Sequence, residues 1–177
     1  MEEHVILLDE HGQPCGTQEK MKAHYLGQFH LAFSVLLYRK GAHEREYLLQ
    51  RREISKYHSG GLWTNTCCSH PRLGESLSAA GVRRLKEEMG IDLTQPLEIA
   101  DKFIYRAQLE NDLIEHELDH ILIACVEDLV VTPNWEEVMA WQWWSESELM
   151  AQLKTAPDSF TVWFNEVFQR TYRYLEV

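Results

Sequence analysis

Three groups of residues in this 177-residue chain have types and spacings that suit chemistry. The first lies in Glu75-Ser-Leu-Ser-Ala-Ala-Gly-Val-Arg83-Arg84-Leu85-Lys86-Glu87-Glu88-Met89-Gly90-Ile91. Ser76 can cap a helix start and Gly90 can end it, so Ser76 to Met89 reads as a helix. Arg84 and Glu88 are four apart and share a face of that helix. Hard carboxylate oxygens there suit Mg²⁺, which keeps positions free for phosphate oxygens. Ordinary i,i+4 pairs on a solvated helix fit the same spacing. The second group is Glu115-His-Glu117. Alternate strand residues share a face, so Glu115 and Glu117 point the same way, about 7 Å apart. Asp119 joins them, and His116 and His120 face the other way. Paired inward carboxylates need cations or a metal to offset desolvation, whereas an edge strand would leave them in water. The third group combines His24 and His30 with Trp63-Thr-Asn-Thr-Cys67-Cys68-Ser69-His70-Pro71. No HExxH zinc spacing is present, and a lone buried histidine is more often a core residue than a ligand. In an extended segment Cys67 and Cys68 point to opposite faces.

These groups must be positioned by strands and helices. Strands are predicted over His4–Leu8, Leu31–Tyr38, Tyr47–Arg52, Ile99–Gln108, Leu113–Val126 and Val138–Trp144, between turn-rich marks at Glu10–Gly16, Arg39–Glu46, Lys56–Gly61, Thr94–Pro96, Thr132–Asn134 and Thr155–Ser159. The residues between His24 and His30 read as a short loop. A short helix fits Glu146–Leu153. Phe160, Trp163, Phe164, Val167, Phe168, Thr171, Tyr172 and Leu175 recur at helical spacing and give one apolar stripe, so a C-terminal amphipathic helix lies on the core. Strands around one internal helix, ending in another, define an α/β (α+β) sandwich with mixed sheets, although the strand order is not legible.

Composition narrows the partners. Lys and Arg total 17 against 28 Asp and Glu, a net charge of −11. Such a chain has little basic surface for nucleic acid or anionic lipid, so a bound anion must rely on a local cluster of cations. The longest apolar run, Ile121–Val126, is far short of the ~20 residues that span a bilayer. The start Met1-Glu2-Glu3-His4 lacks a basic signal-peptide region, and a cytoplasmic protein is expected. The four cysteines form no CxxC pair and read as free thiols. The length suits one domain over residues 1–177.

The first group resembles a Nudix box, a loop–helix–loop that handles diphosphates, with Ser69 at the opening glycine and Arg84 where the hydrolase pattern has an acid. An arginine there removes a metal ligand and adds a phosphate-binding cation. Together with Trp-Thr-Asn, Cys-x-His-Pro and the downstream Glu-x-Glu, the chain from about His4 to Trp163 resembles the type 1 isopentenyl-diphosphate isomerases. The resemblance implies interconversion of isopentenyl and dimethylallyl diphosphates in isoprenoid biosynthesis. It implies a divalent ion (Mn²⁺, Zn²⁺ or Mg²⁺) on His24, His30, His70, Glu115 and Glu117, a mixed donor set that suits Mn²⁺ or Zn²⁺. It also implies a Mg²⁺ that arrives with the substrate diphosphate and touches Glu88. Glu117 is expected to protonate the alkene and Cys68 to remove a proton. Trp163 is expected to face the carbocation, despite its place in the helical stripe, and Tyr105 to hydrogen-bond Glu117 or the reacting group. Lys20, Arg52, Lys56 and Arg84 match diphosphate-binding positions; of the neighbours Arg51 and Arg52 only one can face inward. Cys67 is extra, and Cys68 alone is assigned to chemistry. A Nudix-type diphosphate hydrolase and a non-catalytic metal- or diphosphate-binding module are the rivals. The partner is a small isoprenoid diphosphate, and the chain is a monomer or a homodimer.

Overall fold

The computed structural model describes residues 2–177. In chain order it forms β1 (His4–Leu8), β2 (Pro14–Glu19), α1 (Lys20–Leu26), β3 (His30–Lys40), β4 (Arg45–Arg52), β5 (Trp63–Thr64), β6 (Cys67–Ser69), α2 (Leu77–Met89), β7 (Glu98–Gln108), β8 (Ile114–Cys125), β9 (Val138–Ser145), α3 (Glu146–Thr155), a 3-10 turn (Pro157–Ser159) and α4 (Phe164–Leu175). All nine strands belong to one mixed sheet with β3 at its centre.

One edge of β3 is taken by β8, which runs parallel to it from His30↔Glu117 to Tyr38↔Cys125. The other edge is shared end to end by three antiparallel partners: β1 at His30, β6 at Phe33–Val35 and β4 at Tyr38–Lys40. The strand pleat sorts side chains onto two faces. Phe33, Val35, Leu37, Cys67 and Leu122 pack under α2, while Leu36, Tyr47, Ile121 and Ile123 pack under α4. Ser34 is two residues from Leu36 and pairs with Cys68, so both share the α4 face; Glu115, Glu117 and Asp119 share the parity of Ile121 and join them. The expected opposition of Cys67 and Cys68 is therefore realised.

Ser76 Oγ accepts the Ala79 amide and Gly90 closes α2 in the left-handed region, as its flanking residues imply. Gly81 faces the sheet from inside this helix. A Cβ there would meet Leu97 Cδ1 at 2.4 Å and Leu122 Cδ1 at 3.1 Å, so only glycine allows the approach without displacing a neighbour.

β2, β5 and β6 lie outside the predicted strands, and two further segments differ from expectation. The stretch read as a loop between His24 and His30 begins inside α1, whose first turn is capped by the Glu19 carboxylate on the Met21 and Lys22 amides and whose last ends at left-handed Gly27. The apolar stripe from Phe160 to Leu175 is helical only from Phe164. Phe160 is extended and bridges Trp63, and the Thr161 amide donates to the Trp63 carbonyl at 2.9 Å, which holds this segment on the sheet instead. Among the described residues no helix is long and apolar enough to cross a membrane.

Candidate active site

A single cavity takes side chains from both ends of the sequence. Its wall includes Lys20, Arg52, Lys56, Cys68, His70, Arg84, Glu88, Tyr105, Glu115, Glu117 and Trp163. His24 and His30 are fully buried beside it. The residues expected to do chemistry, hold metal or bind diphosphate are thus brought to one place.

The histidines are set by short local bonds. His24 Nδ1 lies 2.7 Å from the Lys20 carbonyl one helical turn back, and His30 Nδ1 lies 2.8 Å from the Gln28 carbonyl. A carbonyl only accepts, so each Nδ1 carries the proton and each Nε2 keeps a lone pair. Both Nε2 atoms are buried with no hydrogen-bond partner. His24 Nε2 is 3.5 Å from Glu115 Oε1; His30 and His70 Nε2 are 3.5 and 3.3 Å from Glu117 Oε2. Bare lone pairs converging on carboxylates are the arrangement of a metal centre, and this cluster fits a divalent ion.

The carboxylates are far from edge-strand residues in water: β8 is flanked by β3 and β7, and Glu115, Glu117 and Asp119 are each at most 4 % exposed. Tyr105, paired with Glu117 across β7 and β8, donates its hydroxyl to Glu117 Oε1 at 2.8 Å and also contacts Glu115 Oε2. Burial opposes the charge on Glu115, yet its close polar neighbours Glu117, His24 and His58 hold it well below the usual carboxylate range. Burial, reinforced by the charge on Glu117, pushes Asp119 well above that range, and its Oδ2 accepts from Ser34 Oγ at 2.7 Å. Burial likewise lowers His30, but Glu117 outweighs it and the net shift is upward.

Cys68 and Glu117 leave the same sheet face from strands on opposite sides of β3. Burial pushes the Cys68 thiol well up, against the pull of Arg52. Trp163 sits just ahead of α4 rather than within it, and it both belongs to the apolar cluster and lines the cavity. Its indole N–H donates to Asn65 Oδ1 at 3.1 Å.

A second charged cluster lies on α2. Arg84 reaches Glu88 Oε2 at 3.0 Å, Glu137 Oε2 at 3.1 Å and Glu87 Oε2 at 2.7 Å. Glu88 is 2 % exposed and accepts from Gln50 Nε2 at 2.9 Å. Arg84 Nε and Arg52 Nε are buried donors with no partner. Arg52 turns inward and Arg51 outward, as their adjacency requires. Lys20 Nζ bonds Glu3 at 2.7 Å, and Lys56 is half-buried at the wall. Glu75 stands apart in a two-pronged pair with Arg83 at 2.8 and 2.9 Å.

Sequence reasoning missed His58, Ser34 and Glu137, all of which line the cavity. His58 lay in a stretch read only as a turn, and the left-handed Ser59 (φ 55°) after it shapes that turn. Asp119 was placed on the right face by alternation but given no part.

The sheet, the α2 loop–helix–loop and the diphosphate-suited charges define a Nudix-domain protein: the NUDIX domain model matches residues 28–164. A solved structure of DR0079 from Deinococcus radiodurans superposes with a TM-score of 0.70 at 15 % identity, covering 96 % of this chain and 99 % of that one, which shows the shared fold. The chain belongs, within that class, to the isopentenyl-diphosphate Delta-isomerase family. It is 55 % identical to the isopentenyl-diphosphate Delta-isomerase of Photobacterium profundum, over 96 % of this chain and 94 % of the relative. It is 50 % identical to that of Aliivibrio fischeri (strain MJ11), over 99 % and 98 %.

Proposed function

We propose that this chain interconverts isopentenyl diphosphate and dimethylallyl diphosphate in isoprenoid biosynthesis, as a single catalytic domain in the cytoplasm. The observation that carries the reading is the placement of a half-buried thiol and a tyrosine-bonded carboxyl on opposite sides of β3, facing one cavity that an indole also lines.

The reaction adds a proton at one alkene carbon and removes one from another, through a tertiary cation. An unactivated alkene is a weak base, so the donor must be close and the site dry. Glu117 fits the donor and Cys68 the acceptor; in the reverse direction the neutral thiol donates. Tyr105 fixes the Glu117 carboxyl and can carry its proton toward Glu115. Trp163 offers its π face to the cation, a contact worth about 2 kcal/mol when desolvated. The Trp163 ring lies against those of His58 and Tyr105, at 5.8 and 6.4 Å between centroids, and gives the cavity an aromatic wall.

His24, His30, His70, Glu115 and Glu117 would hold a divalent ion, Mn²⁺, Zn²⁺ or Mg²⁺, which would supply positive charge to offset the packed carboxylates. Arg84, Arg52, Lys20 and Lys56 would hold the diphosphate, and Glu88 would offer a carboxylate to a Mg²⁺ accompanying it. The arginine at position 84 supports isomerisation over hydrolysis, because a hydrolase-type acid is replaced by a cation. Incubation with isopentenyl diphosphate and, separately, a nucleoside diphosphate derivative tests this. Dimethylallyl diphosphate is expected from the first and no phosphate release from the second; phosphate release without dimethylallyl product would favour the hydrolase.

A further inference from the structure

We infer that His58 is a further donor to the metal centre, a fourth imidazole beside His24, His30 and His70; the inference rests on the metal-dependent reading above. His58 is 1 % exposed. Its Nε2 approaches Glu115 Oε1 to 2.8 Å, yet the pair lacks hydrogen-bond alignment and Nε2 has no other partner. Both atoms also lie within 4.8 Å of the ligating nitrogen of His24.

The spacing fits a shared ion. Donors about 2.1 Å from one ion stand about 3.0 Å apart at a right angle and about 3.4 Å apart at a tetrahedral angle. The observed separations are 2.8 Å for His58–Glu115, 3.5 Å for His24–Glu115, 3.5 Å for His30–Glu117 and 3.3 Å for His70–Glu117. The ligating atoms of His24, His58 and Glu115 lie within 4.8 Å of one another, as do those of His24, His30 and His70, so His24 joins the two groups. The His24 and His58 rings lie nearly parallel, 28° apart. His58 Nδ1 is occupied by Ser59 Oγ at 2.9 Å, a hydroxyl that can accept its proton and so leave the Nε2 lone pair free.

The backbone also commits His58 to this position. Its carbonyl accepts from Arg52 at 3.1 Å. Gly60, two residues on, packs so tightly that a Cβ would stand 2.3 Å from the Ile54 carbonyl oxygen. The turn is therefore locked with the imidazole inward.

The test uses full-length chain stripped of metal by chelator and titrated with Co²⁺, whose absorption reports its donor set. Wild type is expected to bind one Co²⁺ at the centre. His58→Ala and His58→Gln are both expected to weaken Co²⁺ by roughly 10–100-fold against a competing chelator and to shift the absorption bands. Unchanged affinity and spectrum in both overturns the inference while leaving the metal-dependent reading intact. Wild-type affinity and spectrum in His58→Gln alone also overturns it, because an amide that merely donates to Glu115 would then suffice. Absence of Co²⁺ binding by wild type overturns both. Should either variant fail to fold, X-ray absorption on Zn²⁺-loaded wild type decides: four imidazoles support the assignment and three overturn it.

Discussion

The Trp163 indole N–H and the Asn65 side-chain oxygen are joined at 3.1 Å. The same Asn65 amide donates to the Cys67 carbonyl at 2.6 Å and the Val35 carbonyl at 3.3 Å. One buried amide thus ties the aromatic wall of the cavity to the strand that carries the thiol. Replacing Asn65 with alanine frees the ring and leaves its N–H unpaired. The expected result is a fall in kcat of about tenfold, equivalent to about 1.4 kcal/mol, with a smaller change in KM. Steady-state kinetics check this, and an unchanged kcat would remove Trp163 from the reacting end.

Proton exchange tests the acid/base pair. Wild type in D₂O is expected to place deuterium on carbon, read by NMR. Cys68→Ala and Glu117→Gln are each expected to abolish it, whereas Cys68→Ser keeps a trace. Undiminished exchange in either of the first two variants would overturn the assigned pair.

Arg84 stands among Glu87, Glu88 and Glu137 while its Nε remains without a partner. Arg84→Gln keeps most of the volume and removes the cation. KM for isopentenyl diphosphate is expected to rise at least about tenfold, the loss of one charge-assisted phosphate contact, with kcat less affected. Arg84→Glu should weaken binding further and also destabilise the chain, since it leaves Glu88 buried among like charges. Equal KM values would exclude Arg84 as a phosphate contact.

Glu75 gives a pH test free of the metal ligands. The Arg83 guanidinium holds its carboxyl below the ordinary range. A lowered folded-state pKa means stability that is present above the unfolded value, ~4.3, and is lost as pH falls through the folded one. Glu75→Gln should therefore lower Tm at pH 7, and the gap from wild type should close below about pH 4. A gap of constant size across that range would show that Glu75 and Arg83 do not interact through charge.

Chelation should remove activity and lower Tm, because Glu115, Glu117 and Asp119 then share one buried space without their counter-ion. A ligand bound only by the folded chain stabilises it by about 2.7 kcal/mol at one hundred times its Kd. In Glu115→Gln the chelator-induced drop should be much smaller. Full activity after exhaustive chelation would rule out a required ion.

What the sequence made legible follows its periodicities. The strands from β3 onward with long apolar stretches, α2 with its serine and glycine ends, and α3 all appear where spacing places them. β2 was passed over because Pro14-Cys-Gly-Thr-Gln-Glu19 is an exposed edge strand with no apolar alternation. α1 was missed because its seven residues are too few for a visible stripe and its cap is a glutamate rather than serine, threonine, aspartate or asparagine. Alternation in β8 gave the shared face of Glu115, Glu117 and Asp119. His58 and Glu137 come from irregular segments, where no period carries a direction, so only the folded chain brings them to the cavity.

Gly81 extends its influence beyond packing. Arg84 lies one turn further along the same helix and Glu88 another turn on, so both ride at a height above the sheet that a bare hydrogen atom permits. A methyl group there would push α2 outward or displace Leu97, and with the helix would travel Arg84 and Glu88, while Cys68 and Glu117 stayed put on their strands. The distance between the charged pair on α2 and the thiol and carboxyl on the strands is thus gauged by a side chain of one hydrogen atom.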